Sequence, residues 1–98
     1  MTKRDILLRP SADEDLESIY DYSFEKFGLN RAIEYIHDLN STFIKLANNP
    51  DLARKCDFIK PNLQTYQVSS HIIFFKATKT RISIIRILHK SMDSPRHL

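Results

Sequence analysis

The spacing of apolar residues changes along this chain, and the changes divide it into elements. Between Arg4 and Arg9 the run Ile6-Leu7-Leu8 precedes Pro10. Proline lacks the amide that a strand ladder needs, so a short first strand should end there. Ala12, Leu16, Ile19, Tyr20, Phe24 and Phe27 then recur at helical spacing and form one broad stripe. Ser11-Ala12-Asp13-Glu14 fits a capping box, with Ser11 accepting from the Glu14 amide and Glu14 reaching back. Asp13, Glu14, Asp15 and Glu17 crowd the first turns, where unpaired amides and the dipole stabilise negative charge. Paired carboxylates also serve acid–base catalysis, but a helix start accounts for this cluster. Gly28, the only glycine, stands where a left-handed residue would end the helix.

Asn30 is placed to cap a second helix, whose stripe runs through Ile33, Ile36, Leu39, Phe43 and Leu46 with Ala32 and Ala47 at its margins. Asn48-Asn49-Pro50 closes it. With only Gly28-Leu29-Asn30 between them, the helices must fold back as an antiparallel hairpin. Tyr20, Tyr22, Tyr35 and His37 lie along these helices and are expected to pack. Asp51–Pro61 has no clear period and reads as a loop or a short turn of helix. Leu63–Ser69 begins another strand, and a tight turn at Ser69-Ser70 would separate it from the next.

From Ser69 to Asp93 the pattern is that of a β-hairpin: His71–Phe75 and Ile82–Leu88 flank the polar link Ala77-Thr78-Lys79-Thr80. The link lacks the Asn-Gly or Asp-Gly pair that sets a two-residue turn, so its length supplies the register, with Ala77 opposite Thr80. Arg86 then faces His71, on one side with Ile73, Phe75, Ile82, Ile84 and Leu88. Val68, Ile72, Phe74, Ile85, Ile87 and His89 take the other side. Both faces are apolar, so one should be covered by the helices and the other left for a partner. The tail Lys90–Leu98 is polar apart from Met92 and Leu98 and should pack loosely along an edge.

The 98 residues, 42% apolar and 28% charged, suit one globular domain spanning residues 1–98. No run approaches the roughly 18 apolar residues of a membrane span, and the start has no signal-peptide core, so a soluble, cytoplasmic protein is expected. Cys56 is the only cysteine, which excludes an internal disulfide; it should behave as a small hydrophobe. Four scattered histidines show no ligand spacing and the single glycine no phosphate loop, so neither metal nor cofactor is expected. The net charge of +3 is uneven. Residues 1–50 carry 6 basic and 9 acidic side chains, residues 51–98 carry 9 and 3. A basic half built around a sheet suits an anionic partner.

The order strand, helix hairpin, then three antiparallel strands, an α+β arrangement, now meets particular motifs. LLRPSADEDLESIYDYSFEKFG, AIEYIHDL, LANNP and HIIFFK…RISIIRILHKSMD…RHL together resemble the ParE branch of the RelE/ParE toxin family over nearly the whole chain. The most specific piece is the Ile-rich strand ending Leu88-His89, followed by Met92-Asp93. The resemblance implies the small RelE/ParE-like α+β fold and a ParD-like antitoxin that wraps an extended, partly helical tail around the toxin. It also implies DNA gyrase as the target, trapped on cleaved DNA, with no catalytic residues, no membrane and no sequence-specific nucleic acid. Arginines can hold the carboxylates of an acidic tail bidentately. The candidate contact residues are Arg54, Lys55, Arg81, Arg86 and His89, with Lys60, Lys76 and Lys79 as further point charges.

Two other functions stay open. A RelE-like nuclease that cuts messenger RNA in the ribosome needs a base, an acid and cations around the phosphate, and His71, His89, Arg81, Arg86 and Lys90 are the right types. The nuclease branch ends its last strand in a tyrosine, whereas here Lys90 follows His89 and no tyrosine occurs after Tyr66. In the assumed register His89 also lies on the face opposite His71 and Arg86, so convergence would need a bulge. The third possibility is an antitoxin-binding module without target activity.

Overall fold

Pro10 turns the chain out of the sheet and directly into a helix. The structure, a computed structural model, describes residues 4–98. The first strand, β1 (Asp5–Leu8), is followed by α1 (Pro10–Phe27) and α2 (Leu29–Asn48). A single 3-10 turn at Pro50–Leu52 leads to β2 (Arg54–Lys55), β3 (Gln64–Val68), β4 (His71–Ala77), β5 (Arg81–His89) and a terminal turn of helix, α3 (Ser94–His97). The sheet order is β1-β5-β4-β3-β2. The α+β architecture is the expected one, with two refinements. The sheet is mixed, because β1 runs parallel to β5 while the other pairs are antiparallel, and a fifth strand lies in the stretch that reads as a loop.

The helix ends differ from their sequence signals. Pro10 occupies the first position of α1, where its missing amide costs nothing. Ser11 is therefore already inside the helix, and no side chain caps it. Gly28 has φ +88° and ψ 175°, an extended positive-φ conformation that only glycine adopts readily, rather than the left-handed helical one. This reverses the chain within one residue. Its amide donates to the Phe24 carbonyl and its carbonyl accepts from the Ala32 amide, so α2 starts at Leu29 without help from Asn30.

The stripes of the two helices are narrower than the spacing suggests. Ala12 and Ile19 from α1 and Leu39, Phe43, Leu46 and Ala47 from α2 pack on Ile73, Phe75, Ile82, Ile84 and Ile87 of the sheet. Ala32 is fully buried, whereas Phe24, Phe27 and Ile33 are about half exposed or more. Small residues let the helices approach each other, and the large ones at the tip of the hairpin face outward. No helix among the described residues is long and apolar enough to cross a membrane.

The hairpin register differs from the assumed one. Ala77 pairs with Ile82, and Phe75 with Ile84, but Phe74 pairs with Arg86, leaving Ile85 as a bulge. One extra residue inverts the alternation of everything after it. Ile87 and His89 therefore move to the helix-covered face, and Leu88 to the other. Val68, paired with His71, also lies against the first core.

The second face is not left open. Cys56, Leu63, Phe74 and Leu88 form a second core there, with Ile59, Ile72, Ile85 and Leu98 packed against it. The segment between Cys56 and Leu63 folds over the sheet, with the Cys56 amide donating to the Leu63 carbonyl at 2.7 Å. The tail also contributes: Lys60 Nζ donates to the Leu98 carbonyl, and Arg86 Nη1 to the His97 carbonyl at 3.0 Å. The chain supplies its own cover, and the tail is tied down rather than loosely packed. Burial pushes the Cys56 thiol up, which keeps it protonated and inert.

Candidate functional site

The bulge at Ile85 sets His71 directly opposite His89, with ring centroids 5.4 Å apart and planes nearly perpendicular. Both rings lie on the helix side of the sheet, at the end where the hairpin opens. Tyr35 reaches them from α2: its hydroxyl donates to the Val68 carbonyl at 3.0 Å and lies 2.6 Å from His71 Nδ1. The tight turn at Ser69-Ser70, with Ser69 at φ +50°, closes the same corner. His89 is oriented from its other side, because the Ser91 amide donates to His89 Nδ1 at 3.1 Å and the Ser91 hydroxyl lies 2.7 Å from it. An Nδ1 that accepts from an amide leaves the proton of the neutral ring on Nε2.

Around these rings lies a half-open cavity of about 320 Å³, lined by Tyr22, Phe27, Arg31 and Tyr35 from the helices and by His71 and His89 from the strands. A neighbouring groove, running past Asp15, Ser18 and Met92, shares the two histidines. Burial pushes the His71 pKa down, and the nearby His89 lowers it further, against a smaller opposing effect of Asp15. Burial raises the Tyr35 phenol. At neutral pH the cluster therefore holds a neutral imidazole hydrogen-bonded to a protonated phenol.

Arg86 has a different place. It lies opposite Phe74, where β5 has outrun β1 and, among the described residues, no strand pairs with its outer edge. Asp15 fills that edge. Its carboxylate accepts from Arg86 Nε at 2.8 Å and Nη2 at 2.9 Å, and from the Ile87 amide at 2.9 Å. One side chain thus substitutes for a missing strand neighbour and locks the start of α1 onto β5. The hydrogen bonds that Arg86 donates to Asp15 raise its pKa, so the guanidinium stays charged.

The remaining sequence candidates are scattered. Arg54 and Lys55 form β2 at the sheet edge, both exposed, beside Leu52 and Phe58, which are 48% and 86% exposed. Arg81 is exposed at the opposite end, paired with Asp5 of β1. His89 joins the histidine cluster. No common site unites the five residues, and Arg86 is held inside the molecule.

Sequence reasoning left out Asp15, Arg31 and Tyr35 as site residues, and it set His71 and His89 on opposite faces of the sheet. For Asp15 a signal exists: it lies three residues after Ala12 and four before Ile19, on the buried stripe. A carboxylate on such a stripe needs a partner. For the His71–His89 pair no local signal exists, because a bulge places it.

Comparison with known proteins agrees with this fold. The chromosomal ParDE toxin–antitoxin system of P. aeruginosa includes a chain that superposes with a TM-score of 0.76 at 19% identity, over 89% of this chain and 96% of that one. The toxin–antitoxin complex RelBE2 of Mycobacterium tuberculosis gives 0.67 at 10% identity, over 94% and 97%. In sequence, Toxin ParE1 of Mycobacterium tuberculosis is 34% identical over 93 residues, covering 94% of this chain and 95% of the relative. Toxin ParE1 of Caulobacter vibrioides is 30% identical over 87 residues, covering 89% and 90%. Residues 6–94 match the family described as ParE toxin of type II toxin–antitoxin system, parDE, and with both elements of the helix hairpin and every strand but the first residue of β1 inside that span, the chain belongs to the ParE toxin family.

Proposed function

We propose that this chain inhibits DNA gyrase by holding the enzyme on cleaved DNA, and that the acidic tail of a ParD-like antitoxin neutralises it. The observation that carries the reading is unneutralised charge. Among the described residues the one ion pair is Arg86–Asp15, while Arg54, Lys55, Lys79, Arg81 and Lys90 are exposed without a carboxylate partner. Such a surface attracts an anionic partner and raises its encounter rate.

For the antitoxin tail, β2 is the favoured place. It is an edge strand of two basic residues, with Leu52 and Phe58 exposed beside it. An acidic amphipathic segment can extend the sheet there, laying apolar side chains on Leu52 and Phe58 and carboxylates on Arg54 and Lys55. This replaces the open sheet face, which the chain covers itself. Arg81 and His89 lie away from that edge and are assigned to the target.

The test is supercoiling by purified gyrase at increasing toxin, with a parallel count of protein-linked DNA breaks. Inhibition with accumulated breaks is expected, and it should be relieved by an antitoxin tail peptide but not when Arg54 and Lys55 are both changed to Glu. Full supercoiling activity at saturating toxin would refute the gyrase reading.

One observation favours a nuclease as the second reading: the bulge brings His71 and His89 side by side at one site, as an acid–base pair requires. Against it, Arg86 is engaged by Asp15 and unavailable to a phosphate. Messenger cleavage on translating ribosomes would establish it. Absence of any growth effect on expression without antitoxin would leave a binding module.

A further inference from the structure

We propose that the cavity at the open end of the β4–β5 hairpin, beside the Gly28 turn of the helix hairpin, binds a nucleotide phosphate, with the base against the aromatic walls and the phosphate held by Arg31, His71 and His89. The lining sets the class of ligand. Tyr22, Phe27 and Tyr35 offer planar apolar surface, Arg31 a guanidinium and the histidines two imidazoles, and among the described residues no carboxylate lines this cavity. A volume of about 320 Å³ lies at the small end of ligand sites, suited to one nucleotide. Arg31 makes no ion pair among the described residues.

Each imidazole has one nitrogen committed to the protein and one not. Tyr35 engages His71 Nδ1, and Ser91 engages His89 Nδ1. Neither Nε2 has a protein partner among the described residues, and no buried side-chain polar atom lacks one, so His71 Nε2 reaches accessible surface. The tyrosine also prepares His71 for charge. With the Tyr35 proton on the Val68 carbonyl, the phenol oxygen accepts from His71 Nδ1, leaving Nε2 free to take a proton and donate to an anion.

Binding should therefore be linked to proton uptake. The groups facing His71 are Tyr35 from α2, His89 from β5 and Asp15 from α1. Burial and His89 oppose its charged form, and a bound phosphate would offset both.

The experiment is a chemical-shift titration of the full chain, reading the imidazole and Arg31 side-chain signals. The probes are AMP, a 5′-phosphorylated dinucleotide, adenosine, inorganic phosphate and indole-3-acetate. The expected result is saturable binding of AMP localised to Arg31, His71 and His89. Adenosine and phosphate alone should each bind about tenfold more weakly or worse, the scale of one charge-assisted hydrogen bond. AMP affinity should rise about tenfold from pH 8 to 6, as the histidine range is crossed. Equal affinity for AMP and the dinucleotide would identify a phosphorylated strand end as the source; preference for AMP would identify the free nucleotide. Arg31→Gln, at an exposed helical position, should lower affinity about tenfold with an unchanged melting temperature, whereas Arg9→Gln, an exposed cation outside this lining, should leave it within about twofold. Shifts spread over Arg54, Lys55 and Arg81, indole-3-acetate binding as tightly as AMP, or no response at millimolar AMP would each overturn the proposal.

Discussion

Replacing Asp15 by alanine should destabilise this protein more than any other change in the acidic start of α1. The carboxylate accepts three hydrogen bonds, two from Arg86 and one from the Ile87 amide. The Asp15 side chain is 14% exposed and that of Arg86 23%, so water replaces these contacts only in part. Hydrogen bonds to a charged group contribute about 1.5–3 kcal/mol, and breaking a fully buried ion pair costs about 3–5 kcal/mol. The partial exposure places the expected loss at about 2–3 kcal/mol. For a domain of this size that lowers the melting temperature by about 10–20 °C. Urea unfolding followed by circular dichroism measures it as a shift of midpoint at constant slope. Asp15→Asn keeps an oxygen for the Ile87 amide and should lose about half as much. Glu14→Ala, at an exposed position, should stay within about 0.5 kcal/mol of the parent. Equal losses for Asp15→Ala and Glu14→Ala would refute the reasoning, because Asp15 would then act only as one more charge at a helix start.

His71 should make stability pH-dependent. Its folded pKa lies below the ordinary 6.5, so the unfolded chain binds the proton first. Its contribution is complete above about pH 6.5 and is lost as the pH falls through the folded value, so the melting-temperature advantage over His71→Gln should shrink from about pH 7.5 to 5; an advantage that grows on acidification refutes this. Removing Ser94–Leu98 should cost about 1–2 kcal/mol in urea unfolding, because Leu98 leaves the second core and Arg86 and Lys60 lose carbonyl partners, and an unchanged midpoint would show the tail to be dispensable. Gly28→Ala should cost about 1–3 kcal/mol although no atom lies within 4 Å of the added carbon, since the strain is in the backbone at φ +88°; a stabilised variant would mean that the chain relaxes there freely.

The helix hairpin could be placed from the stripes of α1 and α2 and from Gly28, since both signals are local. The second core was harder to foresee, because Cys56, Ile59 and Leu63 have no period of their own and become apolar cover only once the chain lies over Phe74 and Leu88. The contact residues were the least legible. Arg54 and Lys55 fall on an exposed edge, but Arg86, alike in sequence, is consumed by Asp15, 71 residues earlier in the chain.

The amino-acid sequence alone determined the family, the succession of first strand, helix hairpin and last three strands, and the excess of positive charge in its second half. These depend on composition, periodicity and motifs, which a chain carries whether folded or not. Tertiary structure decided which charges remain free and which histidines meet. Ile85 is the same residue type as Ile82, Ile84 and Ile87 of the same strand, and nothing local marks it as the unpaired residue. Only the competition among packing Ile84 and Ile87 on the helices, Leu88 on the second core and Arg86 on Asp15 places the bulge there, and the bulge sets His71 opposite His89.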